Sequence, residues 1–153
     1  APWVPEAARA VAEAAGRDLT SSDVDVIARR HVADADDAQR RAGSANLVVL
    51  DTDLLSTVVY ARHYYGACPA WIESDARARR ADLYLLAVPD LPWQPDGVRD
   101  RPTQRQEMHD RFVETLREFG ARWVPVSGSG PLRLNRAIAA VRGWRAASTM
   151  RRD

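Results

Sequence analysis

Asn46-Leu47-Val48-Val49-Leu50-Asp51-Thr52-Asp53-Leu54-Leu55 is the stretch on which the fold turns. Its four apolar residues in a row, without polar alternation, suit a strand covered on both faces, as in a parallel sheet between helix layers. Two aspartates fall at its carboxyl end. Open α/β sheets place their ligands there, because strand ends and the loops that follow them form a crevice. Chemistry is therefore expected to gather around Asp51 and Asp53. Past them the pattern predicts a helix from Leu54 to Tyr65, with Asp53 at or near its N-cap and Gly66 as its stop.

Upstream, Ala1 to Val4 reads as the tail of a strand. An alanine-rich helix over Glu6 to Ala15 follows, with Pro5 ahead of it and Gly16 closing it. Ser22 and Asp25 have the spacing of a capping box for a second helix running to about Ala42. Val24, Ile27, Ala28, His31, Ala35 and Ala38 share one face of it, so His31 reads as a packed histidine. Asp34, Asp36 and Asp37 read as a solvated face, since metal ligands converge from several segments.

Downstream, Tyr60, Tyr64 and Tyr65 cluster near the end of the Leu54 helix, where one of them can offer a stacking face to a flat ligand. Cys68-Pro69 is a turn, Trp71 to Arg80 a short helix, and Leu83 to Val88 a strand. From Pro89 to Thr103 four prolines and a glycine forbid both strand and long helix. A loop of that length in a compact domain is a lid, a binding loop or disorder. Its aromatic, its acids and its paired arginines argue against simple disorder. Helical period resumes from Gln104 to Phe119, a strand spans Arg122 to Val126, and Ser127-Gly-Ser-Gly130 leads into a last helix from Pro131 to about Ala147. Strands and helices alternate throughout, which predicts parallel βα units in a three-layer α/β sandwich, one domain over residues 1–153.

Composition bounds the function. The 22 basic and 21 acidic residues leave a formal charge of +1, against a generic nucleic-acid binder, which carries a pronounced basic excess. A single cysteine excludes an intrachain disulfide and a cysteine-based zinc site, and fits a reducing, cytoplasmic compartment. No apolar run approaches the roughly 20 residues that span a bilayer. All 22 basic residues are arginine. Arginine's planar fork grips phosphate or carboxylate with two hydrogen bonds, although genomic base composition accounts equally for surface arginines.

Trp3-Val-Pro-Glu6-x-x-Arg9, the strand ending Leu-Asp51-Thr-Asp53, the Tyr-Leu-Leu strand, and Pro-Trp93-x-x-Asp96-Gly97-x-Arg99 with Arg105 and His109 beyond occur in that order. This succession resembles the ribosylnicotinamide kinase domain of NadR-type NAD biosynthesis proteins, a branch of the P-loop ATPase and kinase class, from Trp3 to about Val141. Such domains open with a strand and a glycine-rich loop ending Gly-Lys-Ser/Thr, whose amides and lysine hold phosphates. This sequence has no such loop and no lysine. The resemblance therefore implies a first strand, loop and helix preceding Ala1, and a chain that is inactive by itself.

The resemblance implies ATP and magnesium as cofactors and a nucleoside, most simply ribosylnicotinamide, as acceptor. By it, Asp51 is the acid that holds magnesium through water, and Glu6 the base for the attacking hydroxyl. Asp53 either orients substrate hydroxyls or caps its helix. Trp93, with Tyr60 or Tyr64, encloses a cationic pyridinium ring, and Asp96 supplies opposite charge or a sugar hydrogen bond. Arg99, Arg101 and Arg105 close over the transferring phosphoryl group. Arg9 pairs with Glu6 or faces phosphate; Ser127 and Gly128 border the adenine or form a plain turn. A nucleotide-binding regulatory module and a non-catalytic interaction domain are the competing readings.

Overall fold

A computed structural model describes residues 1–43, 47–92 and 104–151. They group into two compact units, Ala1–Arg80 and Ala81–Asp153. In the first, strand β1 (Trp3–Val4) leads to helices α1 (Ala7–Ala15) and α2 (Asp23–Ala42), then strand β2 (Val49–Leu50) and helices α3 (Leu54–Tyr65) and α4 (Ala70–Ala78). The second holds strand β3 (Tyr84–Ala87), helix α5 (Arg105–Glu118), strand β4 (Trp123–Val126) and helix α6 (Gly130–Thr149). Both strand pairs are parallel: Trp3 faces Val49 and Val4 faces Leu50, and Tyr84 to Ala87 run beside Trp123 to Val126. Parallel βα connections are thus present in each unit. In place of the single covered sheet expected from the sequence, the described strands form two separate two-stranded sheets, one in each unit.

Helix α3 is the core of the first unit. Leu54, Leu55, Val58, Val59 and Ala61 are buried together with Ser56 and Thr57, so the helix is enclosed nearly all round. It packs against α2 on one side and α4 on another, where Val24, Ile27, Ala28, Ile72 and Ala76 complete the apolar interior. Gly66 ends α3 at φ 77°, a left-handed stop, with its N–H donating to the Arg62 carbonyl.

Two expectations are corrected. Strand β2 pairs only over Val49–Leu50, and Val49 is 46% exposed, because β1 offers just two residues to pair with. Asn46, the first residue of the predicted strand, lies outside the described residues. Ser22 makes no capping hydrogen bond. Asp23, the first residue of α2, instead ties the preceding loop to the helix: its carboxylate accepts from Thr20 N at 2.7 Å and from both terminal nitrogens of Arg17. The Arg17 guanidinium and the Thr20 amide hold the Asp23 carboxyl well below the usual range.

His31 is buried on α2, as its place on the apolar face predicts. Burial pulls its pKa from 6.5 down to about 4, with Asp34 opposing weakly. The folded protein therefore refuses a proton that the unfolded chain accepts below its ordinary pKa. Stability should be fully present at neutral pH and fall as pH drops from about 6.5 to about 4, by about 3 kcal/mol. Denaturant titrations of wild type and His31→Leu across that range check this: the wild type should lose stability and the variant should stay flat.

In the second unit Leu116, Phe119 and Val126 form the buried centre, with Thr115. Helix α6 packs on β4 and has no buried residue; Leu132, Leu134 and Ile138 are exposed along it.

Candidate active site

The two parallel strands of the first unit deliver two acids to one edge. Asp51 N donates to Val4 O at 2.8 Å, extending the β1–β2 ladder by one bond beyond Leu50. Glu6 follows Val4 by two residues, so Glu6 and Asp51 leave the carboxyl ends of neighbouring parallel strands. Asp51 is exposed. Glu6 stands at the N-cap of α1 without making a side-chain cap, and its carboxylate meets Arg9 Nε at 3.6 Å. The Glu6–Arg9 pairing is one of the two arrangements the spacing permits.

Asp53 has a structural role whatever else it does. Its Oδ1 accepts from Leu55 N at 3.0 Å and Ser56 N at 3.3 Å, while Ser56 Oγ receives the Asp53 N–H, a full capping box. Asp53→Ala should therefore destabilise the chain by about 1 kcal/mol, and Asp53→Asn, an equally good cap, should restore it. Thermal unfolding of the pair reads the cap. Loss of nucleoside binding in the Asn variant alone would add the substrate role to it.

Between the acids stands a residue that sequence reasoning missed. Thr52 has φ 73°, and among the described residues no other non-glycine has positive φ. For a β-branched residue that conformation costs of order 1–3 kcal/mol. Its Oγ1 is also buried without a hydrogen-bond partner among the described residues. Nothing in the letter Thr announces a left-handed backbone. The available signal is position, one residue between a strand end and a helix N-cap, where the chain must turn sharply.

Tyr60 and Tyr64 stack on each other with ring centroids 6.3 Å apart and planes 16° from parallel. They sit toward the far end of α3, about 10 Å and about 16 Å along the helix axis from Asp53. Near that end a cleft of about 320 Å³ is lined by Ser21, Val24, Tyr65, Ala67, Cys68 and Pro69. It holds none of the acids, and burial raises the Cys68 thiol to about 11, which suppresses the thiolate.

In the second unit Arg105 opens α5, half-buried, a place where the helix dipole disfavours a cation. His109 follows one turn on, with Nδ1 buried and unpartnered among the described residues. Ser127 and Gly128 belong to a clamped turn. Gly128 N donates to Asp90 Oδ2 at 2.6 Å, and Arg133 donates from Nε to Gly128 O at 2.7 Å and from Nη2 to Val88 O and the Asp90 carboxylate. Arg136 Nη1 donates to Ser127 Oγ at 2.7 Å. Gly128 has φ 94°, and a Cβ there would come within 3.1 Å of Leu132 Cδ2, so glycine is required. Both polar backbone groups of Gly128 are thus engaged internally. The amide of Gly128 and the nearby arginines hold the Asp90 carboxyl below its ordinary pKa. Trp93, Asp96, Arg99 and Arg101 lie outside the described residues.

Among the described residues no group of three acids, histidines or cysteines could enclose a metal ion. A single exposed carboxylate such as Asp51 fits a hard divalent cation that keeps most of its water, the habit of magnesium. No helix among the described residues is long and apolar enough to cross a membrane.

The AAA domain family matches residues 1–133. The trifunctional NAD biosynthesis/regulator protein NadR of Escherichia coli (strain K12) is 30% identical over 110 residues, covering 71% of this chain and 26% of NadR. Its counterpart in Salmonella typhimurium (strain LT2) is 29% identical over the same length. The chain thus spans about a quarter of the length of these curated relatives. A crystal structure of NadR protein in complex with NR superposes with TM-score 0.72 at 27% identity, over 94% of this chain and 44% of that one. NadR protein in complex with NAD and AMP-PNP gives TM-score 0.69 at 26% identity, covering 94% and 42%. The chain belongs to the AAA domain family, with the P-loop kinase-like fold of NadR.

Proposed function

We propose that this chain is the acceptor-binding body of a nucleoside kinase that transfers the γ-phosphoryl group of ATP to a ribosyl hydroxyl, with ribosylnicotinamide as acceptor. The observation that carries the reading is the exposed Asp51, its backbone N–H bonded to Val4 O at the carboxyl end of a strand that runs parallel to the one leading to Glu6. The likeness to NadR bound to NR, and to NAD with AMP-PNP, supports the choice of ligands. The full fold is then the three-layer α/β sandwich of P-loop kinases.

In this reading Asp51 would hold a hydrated magnesium ion, which would offset the charge of the phosphates. Glu6 accepts the proton leaving the attacking hydroxyl, a poor nucleophile without an acceptor nearby. Arg105, with Arg99 and Arg101, donates to the equatorial oxygens of the group in transfer. Asp53 and Asp96 meet sugar hydroxyls, and Trp93 with Tyr60 or Tyr64 presents aromatic faces to the cationic ring. Ser127 and Gly128 border the adenine; with the Gly128 amide and carbonyl engaged, that contact falls to van der Waals surface and the Ser127 backbone. The sequence contains no lysine to reach the β and γ phosphates, so this chain by itself transfers no phosphoryl group.

The AAA domain match favours a second reading, a nucleotide-binding regulatory module without a nucleoside acceptor. Calorimetry separates the two. A protein joining this chain to a phosphate loop should bind ribosylnicotinamide as well as magnesium ATP. Nucleotide binding with no ribosylnicotinamide heat would select the regulatory reading.

A further inference from the structure

Thr52 combines two unfavourable features in one residue: a left-handed backbone at φ 73° and a buried hydroxyl without a partner among the described residues. The turn around it is otherwise well satisfied. Ser56 Oγ accepts from Asp53 N, and Thr57 Oγ1 donates to Asp53 O. A turn selected for stability alone would carry glycine or asparagine at this position, since both enter the left-handed region with little strain. The bend has a visible consequence: it lets Asp51 face solvent while Asp53, two residues on, turns back to cap α3. Unpartnered buried polar groups in native proteins call for a specific explanation, and strained residues concentrate at ligand sites.

We infer that Thr52 is a positioning residue for Asp51, and that its hydroxyl takes its missing hydrogen bond from an O–H group brought by the ligand, either a ribose hydroxyl or a water carried by a magnesium ion. The hydroxyl is closed to bulk water in the ligand-free turn, so the bond forms as the ligand reshapes the turn. Binding then relieves a cost that the free protein carries. This inference rests on the reading of Asp51 as a ligand-facing acid.

Thr52→Val keeps the shape and the β-branch and removes the hydroxyl. Thr52→Gly removes both the strain and the hydroxyl, and Thr52→Ser restores the hydroxyl. The melting temperature should rise in the Val variant and rise by about 2–4 °C in the Gly variant. Titrations of this chain followed by amide NMR shifts of residues 51–55, with magnesium chloride alone and with ribosylnicotinamide alone, tell which ligand supplies the O–H group. Wild type and Thr52→Ser should respond to one of them, and Thr52→Val should bind that ligand about tenfold more weakly. A fall in melting temperature in both the Val and Gly variants would overturn the inference by showing that Thr52 is a structural residue. Unchanged affinity in Thr52→Val would overturn it while leaving the Asp51 reading intact. No response of the wild type to either ligand would remove both.

Discussion

Asp51→Asn is expected to lower kcat/KM for ribosylnicotinamide phosphorylation by about 10²- to 10³-fold, in a protein that carries this chain together with a phosphate loop. Asparagine keeps the volume and loses the charge, and a neutral amide is a poor ligand for a hard cation. The fold should not notice. Asp51 joins the β1–β2 ladder through its backbone N–H, bonded to Val4 O, and its side chain is exposed, so the melting temperature should stay within about 2 °C of wild type. A matched loss of stability and activity would instead mean that the carboxylate serves the turn. Raising magnesium should recover part of the lost rate, because the defect lies in holding the ion.

Leu55→Ala is expected to destabilise the chain by about 2–5 kcal/mol. Leu55 is 1% exposed, one residue inside the α3 N-terminus and flanked in sequence by buried Leu54 and Ser56. Its removal opens a cavity in the apolar interior of the first unit. A domain with only about 5–15 kcal/mol in hand would feel that strongly. Leu85→Ala is the matched control: Leu85 is 41% exposed on β3, and its truncation should cost about 0.5 kcal/mol. Urea unfolding of both variants, with the slope held to the wild-type value, reads the difference.

Sequence and structure agree where local chemistry punctuates the chain. Asp53 and Gly66 mark the ends of α3 because a carboxylate can bond two free amides and glycine can enter the left-handed region; both are properties of single residues. Helices α2, α5 and α6 follow their apolar periods to within a few residues. Agreement fails where a partner decides. Val48 to Leu50 promised a covered strand, yet the ladder extends only as far as Trp3 and Val4 reach. Ser22 makes no cap, and Asp23 binds Arg17, six residues earlier, which folds back onto it. The Asp90 clamp on Gly128 joins residues 38 apart, beyond any local pattern.

The site divides along the same line. Glu6, Asp51 and Asp53 were legible because acids after apolar strands have a physical reason to be there. That Glu6 and Asp51 leave the carboxyl ends of neighbouring strands needed the parallel register, which the structure supplies. Thr52 was invisible because its distinction is a dihedral angle and a missing partner. Arg105 was readable from its place at a helix start, whereas Trp93, Asp96, Arg99 and Arg101 lie outside the described residues.

The most direct test of the central claim is product formation. The protein carrying this chain with a phosphate loop is incubated with ribosylnicotinamide and magnesium ATP, and nicotinamide mononucleotide is measured beside the Asp51→Asn variant. The account predicts ATP-dependent formation of the mononucleotide by wild type and its near loss in the variant. Binding of ATP with no phosphorylated product, or equal product from both proteins, would contradict it.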